Sequence, residues 1–226
     1  MSALAALVVA SVAFVGLHFL LSHPLRAGLV ARMGERGFGI LYSAIAIATF
    51  AAMIYFYPRA NAGAAPLWVA GEAAWIAATA LMWFGSILFM GSLRRNPAFP
   101  RPGVTLAKID APRGVFAITR HPMNWGFSSW ALVHAIVNPT PAGLVLSAAI
   151  LILAIGGSVG QDAKKTRALG EMWREWQART AFFPFGRGFA LPDAFATIAG
   201  TLLFLIATWA HGALGSMPAG IWRWVG

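Results

Sequence analysis

The chain has 226 residues, 59% of them hydrophobic and 11% charged, with a mean hydropathy of +0.70; this is too apolar for a soluble domain of that length and reads as a polytopic membrane protein. The net charge of +10 does not point to nucleic acid, because the cations cluster between apolar segments, where they meet lipid headgroups. With no cysteine, disulfides, zinc–thiolate clusters and thiolate haem ligation are excluded, and a bound metal must use nitrogen, oxygen or thioether sulfur.

Six apolar segments follow in chain order, over residues 3–22, 38–57, 67–90, 123–137, 143–159 and 194–211. Each approaches the length needed to cross a hydrocarbon core of ~30 Å, the fourth being short. The first lacks the basic flank and small-residue cleavage site of a signal peptide and reads as a retained helix. Basic residues concentrate in the first, third and fifth connections: Arg26, Arg32 and Arg36; Arg94, Arg95, Arg101, Lys108, Arg113 and Arg120; Lys164, Lys165, Arg167, Arg174, Arg179 and Arg187. The positive-inside rule puts these loops in the cytoplasm and both termini outside a bacterial-type inner membrane. In the third loop, the proline-rich run 96–103 predicts irregular chain. In the fifth, Leu169, Met172, Trp173 and Trp176 keep i, i+3, i+4, i+7 spacing, which predicts an amphipathic helix at the cytoplasmic membrane surface. The expected fold is all-α: one membrane domain, 1–226, a bundle of about six transmembrane helices plus that surface helix.

The residues that carry chemistry are histidines. His18, His134 and His211 lie within apolar segments, and His121 opens one in the run Ile118-Thr119-Arg120-His121-Pro122. Imidazole is a common metal ligand and a proton switch, and placing several in hydrocarbon costs free energy that a cofactor would offset. Taken singly, each also fits a hydrogen-bonded packing residue. Pro122 suits the first position of a helix, leaving Arg120 and His121 at the membrane edge; they read either as a basic interfacial anchor or as a site where Arg120 holds an anionic group and His121 binds the cofactor. His121 and His134 are 13 residues apart, ~20 Å along a helix, too far to share one iron. His18 with His134, separated by ~10 Å in depth from helix rise, fits bis-imidazole ligation of a haem lying flat to the membrane; His134 with His211, or His18 with His121, would need less tilt. His23 reads as interfacial. Glu72 is either a solvated helix end or an acceptor for an imidazole N–H.

His18, Ser22, Leu25-Arg26, Gly34-Glu35-Arg36 and Leu41-Tyr42-Ser43, followed by Ile118-Thr119-Arg120-His121-Pro122, Gly126, Trp130, His134, Gly170-Glu171, Arg179-Thr180, Pro184-Phe185 and Ala210-His211, resemble NnrU-type membrane proteins, relatives of plant and cyanobacterial 15-cis-zeta-carotene isomerases. The resemblance covers most of the chain, from about Val15 to His211. It implies a haem b with His18 and His134 as metal ligands, and it makes Arg26, Arg120, His121 and His211 further cofactor-binding or alternative positions. Plant isomerases commonly carry a cysteine three residues before the second histidine, where this chain has Ala131, so thiolate-linked ligand exchange does not carry over. The implied activity is redox-dependent cis–trans isomerisation of an apolar polyene, with membrane lipid as the surroundings. NnrU-type proteins are also associated with nitric oxide metabolism in denitrifying bacteria, which implies as an alternative a non-catalytic accessory role. Arg120-His121-Pro122 with Gly126, Gly170, Trp173, Trp176 and Phe183-Pro184 is more distantly similar to membrane isoprenylcysteine and phospholipid methyltransferases, which implies S-adenosylmethionine as an alternative cofactor and a lipid or lipidated substrate. This chain departs from them at Asn124, at Trp173 and Trp176, and at Gln161-Asp162.

Overall fold

The computed structural model describes residues 1–98 and 111–225, so most of the proline-rich run predicted to be irregular lies outside the described residues. Among the described residues every regular element is a helix. They are α1 (Ala3–Ser22), α2 (Arg26–Asn61), α3 (Glu72–Ser92), α4 (Val115–Ile118), α5 (Pro122–Val137), α6 (Pro141–Leu169), α7 (Glu171–Arg179), α8 (Ala194–Ala213) and α9 (Trp222–Val225). Five of them, α1, α2, α3, α6 and α8, are long and apolar enough to cross a membrane. The short fourth segment is α5, whose 16 residues reach only ~24 Å. The all-α membrane bundle expected from the sequence is the fold observed.

The second segment differs from its expected bounds. The helix begins at Arg26, immediately after a three-residue connection, and absorbs most of what reads as a basic loop; Gly34 interrupts it with φ 73° and ψ 169°. Hydropathy sees only the apolar part from Phe38 onward, whereas Ala, Leu, Arg, Met and Glu before it are good helix formers. The bend falls at the residue that takes a positive φ without a steric penalty.

The chain divides into two compact units, Met1–Ala70 with His134–Leu153, and Gly71–Val133 with Ala154–Gly226. In the first unit Leu7, Ala10 and Phe14 of α1 are buried with Met53 of α2 and with Ala142 and Ala149 of α6. Polar groups at the helix ends close it: Asn138 Nδ2 donates to the Tyr57 hydroxyl at 2.9 Å, Thr140 Oγ1 to Asn61 Oδ1 at 2.6 Å, and Trp68 Nε1 to the Ile136 carbonyl at 3.0 Å.

In the second unit the core is Ile87 and Leu88 of α3, Val115, Phe116 and Ile118, and Trp173 and Trp176 of α7. The apolar stripe of α7 is therefore covered by protein: Trp173 is fully buried and Trp176 nearly so, while Glu171, Arg174 and Glu175 face outward. Each such indole removes 150–250 Å² from water, worth about 4–6 kcal/mol at ~25 cal/mol/Å². The i, i+3, i+4, i+7 pattern identifies the helix but not what its apolar face meets. Small residues let neighbouring helices approach: a Cβ at Gly126 of α5 would come within 2.9 Å of the Gly85 carbonyl of α3, and one at Gly85 within 2.6 Å of Ser129 Cβ. Such close contact is how helices associate where burial in lipid gives no hydrophobic drive.

Candidate functional site

Two polar clusters contain most of the singled-out residues. The larger lies in the second unit, where the chain turns from α4 into α5. Thr119, three residues before the helix-starting Pro122, is extended rather than helical, and its Oγ1 donates to the Phe182 carbonyl at 2.7 Å. The backbone N–H of Arg120 donates to Ala181 O at 2.8 Å and that of Phe185 to Ile118 O at 2.9 Å, so segment 180–186 is fastened alongside. Arg120 and His121 are thereby directed at the end of α6, and there they meet Asp162.

Asp162 is the hub of this cluster. Arg120 Nε and Nη2 both lie 2.8 Å from its Oδ2. On the other oxygen, Trp173 Nε1 donates at 3.3 Å, and His121 Nε2 sits 3.2 Å away, outside hydrogen-bonding geometry. The remaining imidazole nitrogen, Nδ1, is 3.1 Å from Gln161 Oε1, and Phe182 stacks edge-on at 5.1 Å. The His121 side chain has no exposed surface, and those of Arg120 and Asp162 are 13% and 12% exposed. A ligand reaching the His121 nitrogens would have to displace Gln161 or Asp162. Neither of these two is among the site residues read from the sequence. The signal for Asp162 was present: it is the one acid in the 29 residues of α6, and a carboxylate in an apolar helix needs a cationic partner.

Beside this cluster lies a cavity of about 540 Å³ lined by Arg120, Gln177, Thr180, Phe182 and Arg187. A second cavity in the same unit, about 640 Å³, is lined by Ile76, Thr79, Trp83, Phe204, Leu205 and Trp224. Trp224 of its lining donates Nε1 to Glu72, which also pairs with Arg223 at 3.4 Å. Glu72 opens α3 with 56% of its side chain exposed, as a solvated helix end; what it accepts from is an indole and a guanidinium some 150 residues away in sequence, not an imidazole.

The smaller cluster lies in the first unit. His18 of α1 sends Nδ1 to the carbonyl of Phe14 at 2.6 Å, one turn earlier, and its ring packs edge-on to Phe14 at 4.4 Å and to Tyr42 of α2 at 5.4 Å. Ser22 Oγ donates to the Tyr42 hydroxyl at 3.4 Å, so the motif pieces His18, Ser22 and Tyr42 converge. Since a carbonyl only accepts, Nδ1 carries the proton, and Nε2 keeps the lone pair a metal requires. The same Nδ1-to-carbonyl bond is the arrangement that orients metal-binding histidines generally, which fits a haem iron. His134 falls in the same unit and is half-buried. His211 belongs to the other unit, is exposed near the end of α8, and lies with Nδ1 2.7 Å from Ala207 O. Arg26 is committed to Glu35 at 2.7 Å, with its guanidinium over Phe38 at 5.2 Å.

The family model described as NnrU protein matches residues 6–219. The chain belongs to the NnrU family. It is also 25% identical over 165 residues to the 15-cis-zeta-carotene isomerase, chloroplastic, of Arabidopsis thaliana, a match that covers 68% of this chain and 42% of that protein; the chain spans less than half the length of this curated relative. No solved structure matches.

Proposed function

We propose that the chain is a haem b protein of the NnrU and zeta-carotene isomerase type, with His18 and His134 as the iron ligands and an apolar polyene as the substrate class. The observation that carries the reading is the His18 environment: Nδ1 is held by the Phe14 carbonyl, which presents Nε2 as a ligand, at the position the family resemblance selects. The name of the Arabidopsis relative supplies the reaction class, cis–trans isomerisation of a carotene. When bound, a haem supplies an iron that exchanges one electron. The protein's own part is to fix the imidazole tautomer, wall the ring with Phe14 and Tyr42, and exclude water.

The optical spectrum of the detergent-purified protein tests this. A Soret band that His18→Ala removes and His211→Ala retains is the expected result; a colourless protein refutes haem binding. Conversion of a cis-polyene by the reduced protein then tests the isomerase role. A coloured protein that turns over no polyene would instead be an accessory haem protein.

A further inference from the structure

We infer that the 540 Å³ cavity beside Arg120 is a binding site for the phosphate group of an anionic phospholipid. Thr180 O accepts from Arg120 Nη1 at 3.3 Å and from Arg187 Nε at 3.4 Å, so two guanidiniums are held side by side on the wall of the same cavity. Like charges at that spacing repel. Among the described residues the carboxylate paired with either of them is Asp162, which bonds Arg120 from the side of the His121 cluster, while Arg187 has no acid partner there. The cavity therefore carries an excess positive charge next to the Gln177 amide and the Thr180 carbonyl. A planar guanidinium recognises a phosphate by paired, charge-assisted hydrogen bonds, and two guanidiniums divide its oxygens between them.

The surroundings indicate that the phosphate comes on an apolar tail. Phe182 and Phe183 line the cavity, and Phe183 and Phe189 are 63% and 82% exposed. Phe84, Phe185 and Phe189 stack in series at 5.5 and 6.0 Å. Because Phe182 and Phe183 share the cavity wall with Arg120 and Arg187, a phosphate seated between the two guanidiniums has phenyl rings beside it against which an acyl chain can lie.

The test uses the full-length protein in detergent, titrated with phosphatidic acid and followed by native mass spectrometry. One saturable molecule is expected. Arg187→Gln should weaken its binding about tenfold, the size of one lost charge-assisted contact, while Arg187→Lys should retain most of it and the exposed control Arg32→Gln all of it. Melting temperature and absorption spectrum should match wild type in each variant, which separates this site from the haem reading. Displacement by inorganic phosphate would show that the phosphate alone is recognised; resistance to it, with displacement by phosphatidylglycerol, would show that the site reads the lipid as a whole. Equal affinity of wild type and Arg187→Gln, or equal displacement by phosphatidylcholine, would overturn the inference. So would Arg187-dependent binding of S-adenosylmethionine without any saturable binding of phosphatidic acid.

Discussion

Replacing Asp162 by asparagine should be among the most damaging isosteric substitutions this chain can suffer. The change keeps the volume and an acceptor oxygen for Trp173 Nε1, so the indole bond at 3.3 Å can persist. It removes the negative charge that holds Arg120 through two nitrogens at 2.8 Å and that faces His121 Nε2 at 3.2 Å. Breaking one side of a buried ion pair costs 3–5 kcal/mol; with the two side chains 12% and 13% exposed, water relieves a little of this, and about 3 kcal/mol is expected. For a chain of this size each kcal/mol moves the melting temperature ~2–4 °C, giving a drop of roughly 6–12 °C. Thermal unfolding in detergent, followed by tryptophan fluorescence, measures it. Glu35→Gln is the internal comparison, since its pair with Arg26 is as short, 2.7 Å, but Glu35 is 67% exposed; such surface pairs contribute under ~1 kcal/mol. An Asp162→Asn protein that melts within 2 °C of Glu35→Gln would refute the view of Asp162 as a buried hub.

Other substitutions isolate single features. Gly85→Ala forces a methyl to 2.6 Å from Ser129 Cβ and should destabilise by about 1–3 kcal/mol, whereas Gly16→Ala, which meets nothing within 4 Å, should be neutral or stabilising by helix propensity; equal melting temperatures would contradict the close crossing of α3 and α5. Glu72→Gln should release the C-terminal residues, read as faster trypsin cleavage at Arg223 with the rest of the chain unchanged, and an unaltered cleavage rate would show that the Glu72 contacts do not hold the tail. His121→Ala should lower the melting temperature by leaving the half-buried Gln161 amide short of its partner, at about 1–3 kcal/mol, yet preserve any haem band; loss of the band at wild-type stability would make His121 the ligand.

The helical content was legible because apolar runs of membrane length have few alternatives: with no water to satisfy the backbone, a span must be helix or closed barrel. The start of α2 was not, since hydropathy registers burial in lipid and stays silent on a polar helix that continues a span past Gly34. For α7 the pattern showed which face is apolar, but Trp173 and Trp176 bury equally well against lipid or protein, and only the tertiary fold selects the core around Ile87, Leu88 and Ile118. The same limit hid the Asp162 hub. Arg120 and His121 stand out as a pair in sequence, while their partners are 40 residues away or more, at Gln161, Asp162 and Thr180, a distance no local spacing rule covers.

Hydrogen bonding separates the histidines more sharply than position does. His121 is bonded at Nδ1 to the Gln161 side chain, faces Asp162 with Nε2, and has no exposed surface; iron at Nδ1 would cost the Gln161 contact, and iron at Nε2 would have to displace Asp162. His18 and His211 are instead bonded at Nδ1 to the carbonyl one turn back on their own helices, so a metal bond at Nε2 leaves that contact intact. Between these two, His18 is walled by Phe14 and Tyr42, whereas His211 is exposed near a helix end. An iron bound through His211 would stand open to its surroundings and exchange its ligand readily. Removing Tyr42 therefore discriminates. Tyr42→Leu keeps an apolar wall but loses the edge contact to the imidazole and the Ser22 bond; with His18 as ligand it should shift the Soret band or speed haem loss, measured by transfer to a haem-scavenging globin. An unchanged spectrum and rate, combined with loss of the band in His211→Ala, would move the haem to the other unit.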